Sequence, residues 1–287
     1  MDWISGIQRA LNYIEEHLAD ELEVSEIAAQ AACSGYYFQR IFGILCGITL
    51  GEYIRFRRLT LAGSELADGA RVIDVALKYG YDSPESFSRA FQRFHGIPPS
   101  DARKREARLR TFSRLTVQIT LKGGNLMDYK IVEREEFCVL EKVEPQSIHD
   151  GTNMNTIPAF WDCCKADGTI RTLLAGREGA RLYGTCYGDT LGSAKTFDYG
   201  IGTECAADTI PPEGFRVKTI PARTWAVFSC TGAMPLAIQR LWHQICSEFF
   251  TTSDWQPTYE FDIEVYPAGD MLSPDYHSEI WVAVKRS

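Results

Sequence analysis

Two stretches of this 287-residue chain repeat each other, and that repeat restricts the possible folds more than any other feature. The first copy, from Val24 to Tyr53, reads VSEIAAQAACSGYYFQRIFGILCGITLGEY; the second, from Val72 to Ala102, reads VIDVALKYGYDSPESFSRAFQRFHGIPPSDA. Val24, Ile27 and Ala28 recur as Val72, Val75 and Ala76, an offset of 48. After one inserted residue, Ser34, Phe38, Arg40, Phe42, Gly47 and Ile48 recur as Ser83, Phe87, Arg89, Phe91, Gly96 and Ile97 at 49. Small residues where two helices must approach, aromatics at helical spacing and one Arg on the second helix give each copy the pattern of a helix-turn-helix.

The helical periods extend around the repeats. Ile4, Ile7, Ala10, Leu11, Ile14 and Leu18 predict a first helix over Trp3 to Leu18. Val24 opens a short second helix ending near Ala32, and Ser34 is an N-cap for a third. Thr49 starts a long helix that joins the repeats and stops at the Asp68-Gly69 breaker. The second copy predicts helix Val72–Tyr79, a turn at Gly80-Tyr81-Asp82, helix Pro84–Phe94, and a last helix from Pro98-Pro99.

Net charge −8 sits badly with a polyanionic partner until it is divided along the chain. Residues 1–110 carry 14 basic and 15 acidic residues, and residues 111–287 carry 16 and 23. From Tyr36 to Arg110 the count turns to 13 basic against 8 acidic, so positive charge gathers on the segment that would face phosphates. No apolar run approaches the length of a membrane span, and the start has no leader pattern. Nine cysteines without a CxxC pair fit reduced thiols in a cytoplasm.

In a helix-turn-helix the second helix lies in the major groove, its N-terminal residues against base edges. That geometry puts Tyr36, Tyr37, Gln39 and Arg40 at or near the surface of the first copy, with Phe38, Ile41 and Phe42 inside. In the second copy it exposes Ser83, Glu85, Ser86, Ser88 and Arg89 over Phe87, Ala90 and Phe91. Arg pairs with guanine and Gln with adenine. Arg93, Lys104, Arg55, Arg57 and Arg58 are the phosphate candidates.

The stretch GYDSPESFSRAFQRFHGIPPSDAR resembles the signature of the AraC/XylS family of bacterial transcription regulators, and the first copy resembles that family's other helix-turn-helix. The resemblance covers roughly residues 5–106. It implies a seven-helix domain whose two recognition helices enter successive major grooves of double-stranded DNA. It also puts Tyr36, Gln39 and Arg40, with Pro84, Glu85 and Arg89, at base-reading positions. The chain departs from the family pattern in one place: its first recognition helix begins Gly35-Tyr36-Tyr37 and carries few polar residues.

Beyond Arg110 the period changes to two. LTVQITL, YKIVEREEFCVL, RLYGTCY, WAVFSC and FDIEVY read as strands, IPAFWDCCKA and PLAIQRLWHQICSEFF as helices, giving an α+β module of two similar units. The expected organisation is an all-α double helix-turn-helix domain at 1–110, a linker at 111–126 marked by Gly123-Gly124-Asn125, and an α+β domain at 127–287. The second half is rich in rings, among them Phe160, Trp161, Tyr187, Tyr199, Trp225, Tyr266 and Trp281. Glu264 stands out within FDIEVY, where alternation puts Asp262, Glu264 and Tyr266 on one face; a carboxylate flanked by aromatics suits a ligand cation.

The segment WAVFSCTGAMPLAIQRLWHQICSEFF, then YEFDIEVY and SEIWVAVK, resembles the GyrI-like effector-binding domain, and MDYKIVEREEF with FDYGIG fits its first half-unit. This resemblance implies a pseudo-twofold fold with an aromatic cleft between half-units, often holding a Glu. Glu264 matches that position; Tyr187, Tyr199, Trp225 and Trp281 carry over, with Glu279 as a second acid. The reading is a one-component regulator with a lipophilic or cationic effector and RNA polymerase as a further partner. Two alternatives stand beside it. One is GyrI-like hydrolysis of a small reactive compound with a Glu as general acid, and the other is a protein-interaction module. Against catalysis, no Ser-His-Asp order, HExxH, P-loop or GxGxxG occurs, and the five histidines lack ligand spacing, so neither cofactor nor metal is expected.

Overall fold

Paired caps build the helical half. The computed structural model describes residues 3–104, 106–117, 127–147, 152–177, 179–187 and 196–286. Helices α1 (Trp3–Glu16), α2 (Val24–Gln30), α3 (Gly35–Cys46), α4 (Leu50–Ala67), α5 (Val72–Lys78) and α6 (Pro84–His95) follow the predicted order. Ser34 and Ser83 both cap N-termini, accepting from Tyr37 N at 3.2 Å and Ser86 N at 3.1 Å. Gly47 and Gly96 end the same two helices in the left-handed region, at φ 68° and 82°, where a side chain would be strained. Thr49 and Glu52 form a reciprocal capping box at the start of α4.

Each helix-turn-helix has its own core. Ala10, Leu11, Ile14, Ile27, Ala28, Phe38, Phe42 and Tyr53 pack together in the first. Leu59, Leu66, Val75, Ala76, Phe87 and Phe91 do so in the second. The helix expected at Pro98-Pro99 is one 3-10 turn, Pro99–Asp101, in the described residues. The LTVQITL strand is not formed over residues 115–117. There Leu115 and Val117 pack on the first core, held by Tyr53 Oη and Gln8 Oε1 accepting from their amides. The rest of that segment and the Gly123-Gly124-Asn125 turn lie outside the described residues.

The second half is one antiparallel sheet of eight strands among the described residues: β1 (Tyr129–Arg134), β2 (Phe137–Ser147), β3 (Leu182–Tyr187), β4 (Thr196–Cys205), β5 (Arg216–Ile220), β6 (Arg223–Thr231), β7 (Trp255–Tyr266) and β8 (His277–Arg286). The order β1-β6-β8-β7-β3-β4-β2-β5 shows two strand-strand-helix-strand-strand units that exchange their first strands and meet at β7 and β3. Helices α7 (Asn153–Ala166) and α8 (Thr169–Leu174) belong to the first unit. Helix α9 (Leu236–Gln244) belongs to the second and continues through a π-turn, Ile245–Phe249. Phe160, Trp161, Trp242, Ile245 and Phe249 from these helices share a core with Cys186, Tyr199, Phe228, Tyr266 and Ile280 on one sheet face. Tyr183, Tyr187, Trp225, Phe261, Ile263 and Trp281 form a separate core on the other.

His95 ties the second helix-turn-helix to the chain that leaves it. Its Nδ1 accepts from Arg110 N at 3.1 Å, so the ring proton sits on Nε2, which donates to Leu59 O at 2.9 Å. Burial pushes its pKa below the ordinary 6.5. The unfolded chain therefore takes up that proton first, and His95 contributes stability above pH 6.5 that is lost as pH falls through the folded value. Urea denaturation at stepped pH should show stability declining below that point, and His95→Gln should flatten this slope. An unchanged slope in the variant would mean that the ring is free to protonate in the fold.

Candidate functional site

Helix α6 presents its expected DNA-reading face to solvent. Pro84 occupies the first turn, and Pro84, Glu85, Arg89 and Arg93 are exposed. Ser83 and Ser86 are half-buried because their hydroxyls serve the cap, Ser86 Oγ donating to Ser83 O at 2.8 Å. Lys104 is exposed and pairs with Asp101 at 2.9 Å, and Arg55 is exposed above Phe56. Arg57 and Arg58 are not outward phosphate ligands. Arg57 pairs with Glu15 at 2.8 Å, and Arg58 donates to Leu18 O and Asp20 O at 2.8 and 2.7 Å, so both brace α4 against α1 and its end.

Helix α3 has the same caps and the same length but a different fate. Tyr36 and Tyr37, expected at the surface, are 6% and 3% exposed, and the Arg40 side chain 11%. Gln39 is half-buried. The reason is packing: α3 lies against α9 and the π-turn and sits in a groove over the sheet face that carries the helices. Tyr36 stacks on Phe197 with ring centroids 3.6 Å apart, and Tyr37 meets Tyr259 edge-on at 4.5 Å. Tyr259 sits at φ 65° in a bulge of β7 between Pro257 and Asp262, a left-handed conformation of the strained kind that often occurs beside functional sites.

The floor of the groove is acidic. Register pairs Gly184 with Glu264 and Cys186 with Asp262, so β3 and β7 turn these four side-chain positions to one face. Arg40 Nη1 donates to both Asp262 oxygens at 2.6 and 2.7 Å, and Nη2 reaches Glu264 Oε1 at 3.4 Å. The guanidinium lies 4.1 Å over the Trp242 ring. Glu264 also accepts from Trp242 Nε1 at 2.8 Å and from Tyr266 Oη at 2.9 Å. Burial raises the Glu264 pKa against the pull of Arg40 and the Trp242 bond. For Arg40, burial opposes the charge, but Asp262, with Tyr36, Cys186 and Glu264 adding to it, outweighs burial, and its pKa stands well above the ordinary value.

A second row of rings completes the wall. Trp161 Nε1 donates to Tyr199 Oη at 2.9 Å, Trp161 meets Tyr266 edge-on at 5.2 Å, and Phe160 lies beside Tyr199. Gly184 makes this possible, since a Cβ there would stand 2.5 Å from the Tyr199 hydroxyl oxygen. With α3 in place, the space left between Tyr36, Tyr37, Tyr259 and Asp262 is about 10 Å³, roughly what one water needs.

The structure thus gathers Glu264, Tyr199, Tyr266, Trp161 and Phe160, and separates them from Tyr187, Trp225, Trp281 and Glu279. Those four point to the opposite face of the sheet, because they sit one residue out of phase with Glu264 in the strand register. Trp281 Nε1 donates to Glu279 at 2.8 Å, and Tyr187 Oη donates to the buried Glu141 at 2.6 Å. Asp262 and Trp242 join the site without having been singled out by sequence. Alternation had already put Asp262 beside Glu264, and that was the available signal.

A DNA-reading helix pair joined to an acidic aromatic cleft defines a ligand-responsive transcription regulator. Residues 130–284 match the family described as Cass2, integron-associated effector binding protein, and residues 27–105 match a helix-turn-helix domain family. Regulatory protein SoxS of Salmonella typhimurium is 42% identical over 100 residues, 34% of this chain and 94% of that protein. The transcriptional activator AarP of Providencia stuartii is 41% identical over 97 residues, 33% of this chain and 72% of that protein. A solved structure of SAV2435 bound to tetraphenylphosphonium covers 55% of this chain and 94% of that one, at 22% identity and TM-score 0.49. The chain belongs to the AraC-type helix-turn-helix regulators and, through its second half, to the integron-associated effector-binding proteins.

Tyr187 offers a test of the two faces. Tyr187→Phe deprives the buried Glu141 of one donor, leaving Arg216 at 2.8 Å. A lost hydrogen bond to a charged group costs about 1.5–3 kcal/mol. Chemical denaturation should show a loss of that order, and one well under 1 kcal/mol would mean the bond is weak in solution.

Proposed function

We propose that this protein is a one-component regulator whose effector is a small organic cation carrying aromatic or other apolar groups. The observation that carries this reading is the Asp262–Glu264 pair at the bottom of an aromatic groove, already holding a guanidinium against Trp242. Two carboxylates and one Arg leave an excess of negative charge in a desolvated place, which selects for cations. Residues 1–110 read double-stranded DNA and residues 127–287 take the effector, with RNA polymerase as a further partner and the cytoplasm as the setting. Among the described residues no helix is long and apolar enough to cross a membrane. The relatives are transcription regulators, and we read this chain as a binder rather than an enzyme. Glu264 supports this, since Trp242, Tyr266 and Arg40 already engage both its oxygens and hold it as a receptor for charge.

Benzylguanidinium and its neutral isostere benzylurea test the ligand class by calorimetry. Glu264→Gln should weaken benzylguanidinium about tenfold or more, since a hydrogen bond to a charged group is worth about 1.5–3 kcal/mol. Benzylurea should be nearly indifferent. Equal affinity of both proteins for the cation would remove Glu264 from the site.

On DNA, Arg89→Ala should cost about 1–3 kcal/mol at one base position and relax preference there. Arg93→Ala should weaken all sequences alike and lower the salt slope by about one. Measured against a duplex enriched from a random library by the wild-type protein, an intact preference in Arg89→Ala would mean that α6 is not the reading helix.

A further inference from the structure

The groove's occupant is the chain's own DNA-reading helix, and the sequence of that helix suits the groove better than it suits DNA. Aligned on the repeat offset of 49, Tyr36, Tyr37 and Ile44 of α3 stand where α6 has Glu85, Ser86 and Arg93. The outward face is polar in α6 and exposed at Glu85 and Arg93. In α3 it is apolar: Tyr36 and Tyr37 belong to the core of the sheet domain, with Ile44 packed against it. The two equivalent arginines divide the same way, Arg89 facing solvent and Arg40 closing on Asp262.

We infer that α3 is an internal pseudo-ligand: Arg40 with Tyr36 and Tyr37 fills the effector groove, so that α3 cannot enter a major groove until a cation replaces it. This rests on the cationic-effector reading above and adds its regulation. Occupancy of the groove by an effector and by α3 is mutually exclusive, because Arg40 already takes both Asp262 oxygens, reaches Glu264 and covers the Trp242 ring that a cation would need, and the space between Tyr36, Tyr37, Tyr259 and Asp262 holds about one water. A cation that takes the place of Arg40 leaves Asp262 and Glu264 paired and α3 released to the first helix-turn-helix. Without a replacement, release strands two buried carboxylates. In the closed state the chain reads one groove through α6; in the open state it reads two.

Selection from a random duplex library reports how many grooves are read. The full-length wild-type protein without cation should enrich a single half-site. With saturating benzylguanidinium, or as Asp262→Ala without cation, it should enrich two half-sites about 10 bp apart, with affinity raised at least about tenfold by the second contact. Asp262→Ala loosens the helix from the groove side and leaves the α3 sequence untouched; Arg40→Ala added to it should erase preference in the second half-site. If Asp262→Ala does not fold, Glu264→Gln should give a smaller gain in the same direction. Two half-sites from the unliganded wild type would overturn the inference, as would a single half-site from every preparation. Calorimetry separates the two readings. Benzylguanidinium that binds without adding a half-site overturns the pseudo-ligand and leaves the effector reading standing. No binding, together with a second half-site from Asp262→Ala or Glu264→Gln, supports the pseudo-ligand and removes the cation.

Discussion

The contact between Arg40 and the Asp262–Glu264 pair joins residues 222 and 224 positions apart, and it fixes how the two halves of the chain meet. Taking charges out of water is costly, and removing one partner of a buried pair costs about 3–5 kcal/mol because the other charge is stranded. The pair therefore does not add much stability of its own. It makes the position of α3 conditional, since any movement of the helix out of the groove has to leave a positive charge behind or pay the stranding penalty. Hydrophobic packing of Tyr36 and Tyr37 holds the helix down, while the charge decides what can replace it.

The duplicated helix-turn-helix makes this possible without a new element. Both copies keep what the local fold needs: the serine cap, the Phe pair facing inward and the left-handed glycine. What differs is the outward face, which local helix formation leaves free to vary. In α6 it is polar, as a surface in water or against phosphates requires. In α3 it is apolar enough to leave rings in water if the sheet domain were absent, a patch of the kind that marks an interaction site.

Much of the fold was legible because its signals are local. Ser34, Ser83, Thr49 and the glycines mark helix ends through bonds to residues at most a few positions away, and period-two alternation exposed the strands of the second half. The Pro98-Pro99 helix was read from a start signal alone: proline suits a first turn but says nothing of how far the helix runs, and only a single 3-10 turn, Pro99–Asp101, forms there. The site was half legible. Alternation within β7 put Asp262, Glu264 and Tyr266 together correctly, yet nothing local says which rings of other strands share that face. Tyr187, Trp225 and Trp281 fell on the far side through register, which depends on pairing between distant segments. Arg40 was unreadable in the same sense. Its equivalence to Arg89 is true of the helix and silent about what covers it, though the few polar residues around Tyr36 and Tyr37 were the trace left in the sequence.

The plug also describes what would displace it. Its charge is a planar guanidinium stacked on Trp242, and its apolar part is two rings held by Phe197 and Tyr259. Stacking against aromatic faces is tolerant of shape, whereas the carboxylates demand charge. A compound bringing both would meet the same partners, and neutral compounds of any shape would leave two acids facing a dry groove. The burial that raises the Glu264 pKa measures the same cost from the other side, since a carboxylate that loses its cation is driven toward protonation. Selectivity for charge and tolerance of skeleton thus follow from one arrangement, a pair of acids at the bottom of a ring-lined groove.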